Sequence, residues 1–207
     1  MRAAVALRQE SRGDDAVATG RDRAVLDRIM QPHVHLAIWR RGCTAPLPIL
    51  DWDAIDDIDA DIAVDRLASD VPAVLAAAGY PVMTPAIAAF ATDLVALAAN
   101  FASLLTCDDV RVRLDVIDTD ACRKFHADQV TVRLLMPLVG PGTQWMRAGT
   151  ESLGPDGQLE VGDVGLFKGR VWAEEPVILH RSPPIAETGI TRLLLVIDPL
   201  DAAMVSL

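Results

Sequence analysis

Aromatic side chains are scarce in this 207-residue sequence, at 4% of the chain, and tyrosine occurs once, at Tyr80. Cysteine is also rare. Cys43, Cys107 and Cys122 cannot all pair within one chain and lack the CxxC spacing of a zinc ribbon or redox motif, so no disulfide framework is expected and a reducing cytoplasm suits them. Basic residues number 19 against 29 acidic ones, a formal charge of −10. With no basic cluster to offset that charge, nucleic acid is excluded as an expected partner. Long apolar runs are missing too: the longest uncharged stretch, 71–92, is interrupted by Pro72, Gly79, Pro81 and Pro85, which predicts two helix-like pieces and no membrane span. The apolar stretch Ala3 to Leu7 is shorter than the core of a secretory signal, so export is not expected.

Hydrophobic residues make up 51% of the chain and charged ones 23%, which is enough apolar volume for a core and predicts one folded domain over 1–207. Its texture changes near residue 107. Residues 1–106 read as mainly helical, with helical apolar spacing over 65–78 and 85–105, a first-turn Pro85 and a cap at Thr84. One strand is expected near 34–40, in HVHLAIWRR, where His33 and His35 read as strand-end residues. Seven aspartates lie between 51 and 65, and Asp57, Asp59 and Asp61 imitate the opening of a calcium loop. That loop needs glycine at its sixth position and glutamate at its twelfth. Ile62 and Ala68 stand there, so the segment reads as a solvated acidic surface.

From 107 to 200 the sequence breaks into short alternating segments, DVRVRLDVID, VTVRLLMPL, EVGDVGLFKG, PVILH and ITRLLLVID, separated by GPGT, GPDG and SPP. These predict strands of a barrel or sandwich, with no long helix to make a parallel crossover sheet. In CRKFHADQV, His126 and Asp128 are two residues apart, so on a strand both point to one face and can grip one ion. His180 ends the strand PVILH, where a barrel can return it to complete a two-histidine, one-carboxylate triad. That set leaves coordination positions open and is the ligand set of non-haem iron oxygenases. Arg192 lies inside an apolar strand, where an unpaired guanidinium is costly unless it meets a carboxylate. Cys122 shares strand parity with His126 and Asp128 and reads either as a ligand or pocket thiol or as an inert buried cysteine. Arg113, Arg133 and Trp145 are further candidates for the pocket around the metal. Arg111 and Arg113 also fit an exposed strand face, and Trp145 and Trp172 also fit simple packing.

The order HxD, GPGTQW, GDVGLFKG, His180, Arg192 resembles the double-stranded β-helix of the cupin superfamily, including its oxoglutarate-dependent oxygenases. More narrowly, CRKFHAD, GDVGLFKG, HRSPP and TRLLLVID resemble a bacterial domain-of-unknown-function family often found near zinc-homeostasis genes. The resemblance implies an α+β chain: a cupin-like jelly-roll barrel over 107–200 carrying an α-helical N-terminal half. It implies His126, Asp128 and His180 as metal ligands and Arg192 as a carboxylate anchor. Dioxygen and a small molecule become the expected partners, and since barrels of this kind often pair through exposed strands, a homodimer is compatible with it. Fe(II) is the default metal, while Ni(II), Cu(II) and Zn(II) suit the same donors.

Three functions follow. In oxoglutarate enzymes the arginine usually works with a hydroxyl two residues later or with a tyrosine. Here that position is Leu194 and the barrel region has no tyrosine, with Thr131, Thr143 and Thr191 as substitutes. The leading expectation is therefore a dioxygenase that oxidises a small carboxylate-bearing, amino-acid-like metabolite, one whose thiol or amine binds the metal, without 2-oxoglutarate. An Fe(II)/2-oxoglutarate-dependent hydroxylase is the alternative. The third is a non-catalytic zinc-binding protein using Cys122, His126, Asp128 and His180 in a closed tetrahedral site.

Overall fold

The computed structural model describes residues 15–42, 47, 50–120, 122–150 and 153–200. Cys43 and the Ala3 to Leu7 stretch lie outside those residues. Among the described residues ten strands form two sheets. The larger contains β1 (Val17–Gly20), β2 (Leu36–Trp39), β3 (Ile58–Ala63), β4 (Asp109–Ile117), β5 (Val132–Val139), β8 (Val164–Lys168) and β10 (Arg192–Pro199), in the order β1-β2-β8-β5-β10-β4-β3. The smaller contains β6 (Gln144–Arg147), β7 (Gly157–Gln158) and β9 (Ile178–Arg181), in the order β7-β6-β9. From β4 onward the chain winds between the sheets. It runs from β4 to a bridge at His126 beside His180 of β9, then β5, β6, β7, β8, β9 and β10.

The central strands β5, β8 and β10 are buried on both faces, which explains their nearly continuous apolar sequences. Leu193, Leu195 and Ile197 of β10, Val110, Val112 and Leu114 of β4, and Val132, Leu134 and Met136 of β5 belong to a core shared with the helices. The opposite parity, Leu135, Phe167, Leu194 and Val196, packs with Trp145 and Ile178 of the small sheet in a second core. Polar residues of that parity, among them Arg113, Arg133 and Arg192, are thereby directed into the space between the sheets.

Helix α1 (Leu67–Ala77) and α2 (Pro85–Leu105) cover the first face. Thr84 caps α2 by accepting the Ile87 N–H, and Pro85 occupies its first turn, as the sequence predicts. Helix α2 is long and apolar enough by composition to cross a membrane. Its residues Ile87, Phe90, Leu94, Leu97 and Phe101 are buried in the core against the sheet.

The N-terminal part differs from a mainly helical half: β1, β2 and β3 all lie there and enter the large sheet. The acidic segment is only partly a solvated surface. Ile58 and Ile62 are buried while Asp59 and Asp61 point outward, and β3 pairs along β4 with Arg111 bonded to Asp61 at 2.7 Å and beside Asp59 at 3.3 Å. The aspartates disguise a period-two apolar pattern that a cross-strand arginine neutralises.

Lys168, at the end of β8, is buried, and its Nζ donates to the Gln31 carbonyl at 2.7 Å. Burial pushes its ammonium down to about 8. Between that value and an ordinary unfolded lysine value the unfolded chain binds more protons, so this group's contribution to stability rises as pH rises through the window. The stability difference between the parent and Lys168→Met is expected to shift in the parent's favour by about 3 kcal/mol or less from pH 7 to pH 10.5. Chemical denaturation across that range checks it, and a flat difference contradicts it.

Candidate metal centre

His126 and His180 face each other as the only residues of an isolated antiparallel bridge, with reciprocal backbone N–H to carbonyl hydrogen bonds of 3.0 and 2.9 Å. Their rings lie 4.8 Å apart between centroids. Asp128 enters the same space: Oδ1 is 3.5 Å from His126 Nε2, and Oδ2 is 3.0 Å from His180 Nε2. One donor atom from each residue lies within 4.8 Å of the others, the only such trio among the described residues.

Each side chain is held by a second contact. His126 Nδ1 is 2.8 Å from the Lys124 carbonyl, which requires a proton on Nδ1 and leaves Nε2 with its lone pair toward the trio. Arg133 Nη1 donates to Asp128 Oδ1 at 2.8 Å, while its Nε and Nη2 grip Asp198 at 2.7 Å each. The His180 ring packs against Phe167, with centroids 4.9 Å apart.

Burial holds the His180 ring below its ordinary value, so it is neutral at pH 7 with a nitrogen free to ligate. The Asp128 carboxylate beside it raises His126 against the opposing effect of burial. Burial alone would raise Asp128, but the two histidines and Arg133 outweigh it and keep the carboxyl well below the usual carboxylate range. Despite its 3.0 Å approach to His180, Asp128 Oδ2 is buried and accepts no hydrogen bond of acceptable direction. A buried carboxylate oxygen without a donor is costly. With the His180 proton on Nδ1, the Nε2 and Oδ2 lone pairs converge on one point and a cation there satisfies both; the residues fit a divalent metal.

The trio lines a cavity of about 310 Å³ between the sheets, with Arg113, Asp115, Arg133, Thr143, Ser182 and Leu194 among its walls. Arg192 is 1% exposed and stands just behind that wall, donating from Nη1 to Ser182 Oγ at 2.9 Å and from Nε to the Pro141 carbonyl at 2.7 Å. The turn over it requires glycine twice. Gly140 has φ +76° with its would-be Cβ 3.0 Å from the Arg192 side chain, and a Cβ on Gly142 would lie 1.8 Å from the Leu159 carbonyl oxygen.

Other expectations separate here. Cys122 lines the cavity but lies in a turn with φ +59°, outside the trio; strand parity does not extend back to it, and the four-ligand closed site is not formed. Arg113 and Arg133 both reach the cavity. Trp145 does not line it: its indole is buried in the core between the sheets, packed over Gly157. The expected lack of a hydroxyl near Arg192 is overturned by Ser182. That residue is two beyond His180, so the spacing that links His126 to Asp128 also points to it. Asp57, from the acidic segment, reaches the cavity and accepts the Val116 N–H at 2.7 Å, so that segment is not remote from the chemistry.

Two facing β-sheets with a His/Asp/His cluster in the cavity between them are the class that fold and site define. The chain belongs to the family described as "Protein of unknown function (DUF1826)", whose model matches residues 20–198. That description carries no link to zinc. No curated protein matches the sequence. Among solved structures, a Pseudomonas putida prolyl-4-hydroxylase is similar at 18% identity and TM-score 0.43, over 85% of this chain and 92% of that one. Dioxygenase for auxin oxidation 1 of Arabidopsis thaliana, in its 2-oxoglutarate binary complex, is similar at 13% identity and TM-score 0.40, over 80% and 69%. The dioxygenase for auxin oxidation in rice is similar at 15% identity and TM-score 0.37, over 73% and 58%.

Proposed function

We propose that this chain is a non-haem metal-dependent oxygenase built on a double-stranded β-helix, with His126, Asp128 and His180 holding a divalent transition metal, Fe(II) by default. The orphaned Asp128 Oδ2 beside His180 Nε2 carries the reading. Winding of the chain between the two sheets supports the β-helix. A metal held by two imidazoles and one carboxylate keeps open positions and supplies dioxygen chemistry to a bound small molecule.

The protein's own part is positioning. Arg133 fixes the Asp128 carboxylate, and the Lys124 carbonyl fixes the His126 tautomer. Arg192 supplies a buried cation, with no carboxylate partner among the described residues, one hydrogen bond behind the cavity wall, and Ser182 and Thr143 present hydroxyls at that wall. An arginine with a hydroxyl partner suits the carboxylate of a cosubstrate. Ser182 removes the reason for ranking the cosubstrate-free dioxygenase first, so 2-oxoglutarate is the cosubstrate we assign.

Oxygen uptake and succinate formation by the Fe(II)-loaded protein, with and without 2-oxoglutarate, test the assignment. Arg192→Met is expected to weaken 2-oxoglutarate binding about tenfold to a hundredfold, the effect of a lost charge-assisted pair, while metal affinity stays within about threefold. Tight metal binding with no 2-oxoglutarate binding and no 2-oxoglutarate-dependent turnover overturns the cosubstrate; failure to bind any divalent transition metal overturns the reading as a whole.

A further inference from the structure

The charged side chains lining the cavity are not all paired. Asp128 is held by Arg133, Asp57 by the Val116 N–H, and Arg181 donates to Gln144 at 2.9 Å and stacks on Phe125 at 4.4 Å. Arg113 and Asp115 are left over. They are two residues apart on β4, so both side chains project from one strand face into the cavity, and each lines it. Arg113 Nε is buried with no hydrogen-bond partner, and neither residue forms an ion pair, with the other or with any third group, among the described residues. Burial raises the Asp115 carboxyl against the opposing influence of Arg113.

A cation and an anion side by side on one cavity wall, both partly desolvated and neither paired, are costly unless something in the cavity pairs with each. A monoanionic ligand would satisfy Arg113 and be repelled by Asp115; a monocation would do the reverse. A molecule carrying both charges close together satisfies both. Ile117, Leu135, Leu194 and Val196 also line the cavity, and give the remainder of such a molecule an aliphatic surface to meet.

We infer that the substrate is a free α-amino acid with an aliphatic side chain, its carboxylate on Arg113 and its ammonium on Asp115. The inference rests on the cavity being the oxygenase's substrate site, and it assigns a carboxylate position distinct from that of Arg192 and Ser182.

Calorimetric titration of the metal-loaded full chain tests it without turnover. Leucine, valine and methionine are compared with leucinamide, which lacks the carboxylate, and N-acetylleucine, which lacks the ammonium. Leucine is expected to bind at least about tenfold more tightly than either derivative. Arg113→Gln is expected to erase the preference over leucinamide, and Asp115→Asn the preference over N-acetylleucine. Thermal unfolding of each variant confirms that it is folded. Overturning results are no binding by any of the three amino acids, equal binding of leucine and its derivatives, or preferences that survive both substitutions. Metal titration of the same samples separates the two readings: lost metal binding sinks the oxygenase, whereas bound metal without amino-acid discrimination sinks only this inference.

Discussion

Asp128→Ala is expected to weaken divalent-metal binding at least about a hundredfold while leaving a folded protein. Removing a partner that only orients a ligand already costs about tenfold to a hundredfold in affinity, and Asp128 supplies the single carboxylate of the trio. The two imidazoles remaining would offer a neutral, two-point site. The fold is expected to survive because the neighbouring cation keeps a partner: Arg133 loses its 2.8 Å bond to Asp128 but retains the bidentate grip on Asp198. Removal of Asp128 relieves the buried, unsatisfied Oδ2 but forfeits the Arg133 and histidine interactions that hold its carboxyl low, so the metal-free variant is expected to be destabilised by about 1–3 kcal/mol and still fold. Added metal should raise the melting temperature of the parent and leave that of the variant unchanged, since a ligand stabilises only the state that binds it. Spectroscopic titration with Co(II) and thermal unfolding with and without metal measure both halves. If the variant retains metal affinity within about tenfold, the trio is not the site.

Much of this is legible in the sequence because strand parity is a strong constraint. Residues two apart on a strand share a face, so HxD and a His180 near the end of an alternating strand are natural partners; His126 forms only an isolated bridge to His180 and Asp128 lies outside any strand, yet all three enter one space. Proline at the first turn after a capping threonine likewise locates the start of α2. Pairing between strands is what the linear order conceals. Strand β3 is hidden by its aspartates, whose charge is compensated by Arg111 on the neighbouring strand, a partner that local composition does not reveal. The position two residues beyond Arg192 on the same strand is Leu194, which carries no hydroxyl, and the hydroxyl beside Arg192 comes neither from there nor from the substitutes Thr131, Thr143 and Thr191 but from Ser182 just past the end of β9, in the other sheet. Cys122 reaches the cavity wall but not the ligand trio, because parity does not carry into a turn whose positive φ breaks it. Sequence spacing thus orders groups within a strand, and only the sheet register says which strand lies opposite.

Arg133 is where stability and the metal site meet, and its removal should be the most destabilising single change at the site. Its guanidinium is largely buried, 17% exposed, between Asp128 and Asp198, whose side chains are 15% and 10% exposed. Deleting one partner of a buried pair costs about 3–5 kcal/mol, because the charge left behind has lost both water and counter-ion. Arg133→Met leaves two such carboxylates, and a loss of about 3–5 kcal/mol is expected in the metal-free protein. Asp198→Ala leaves Arg133 bound to Asp128 and should cost less, about 2 kcal/mol. Losing the guanidinium also frees Asp128 to rotate, so Arg133→Met is expected to lower metal affinity about tenfold to a hundredfold as well. The double substitution Arg133→Met with Asp198→Leu separates the two roles. Replacing the pair by apolar side chains removes the stranded Asp198 charge and should recover part of the lost stability, whereas metal affinity should stay low, since nothing then holds Asp128 Oδ1. Denaturant unfolding and metal titration on the three variants read these effects independently. Recovery of metal affinity together with stability in the double variant would mean that Arg133 serves the fold and not the orientation of Asp128.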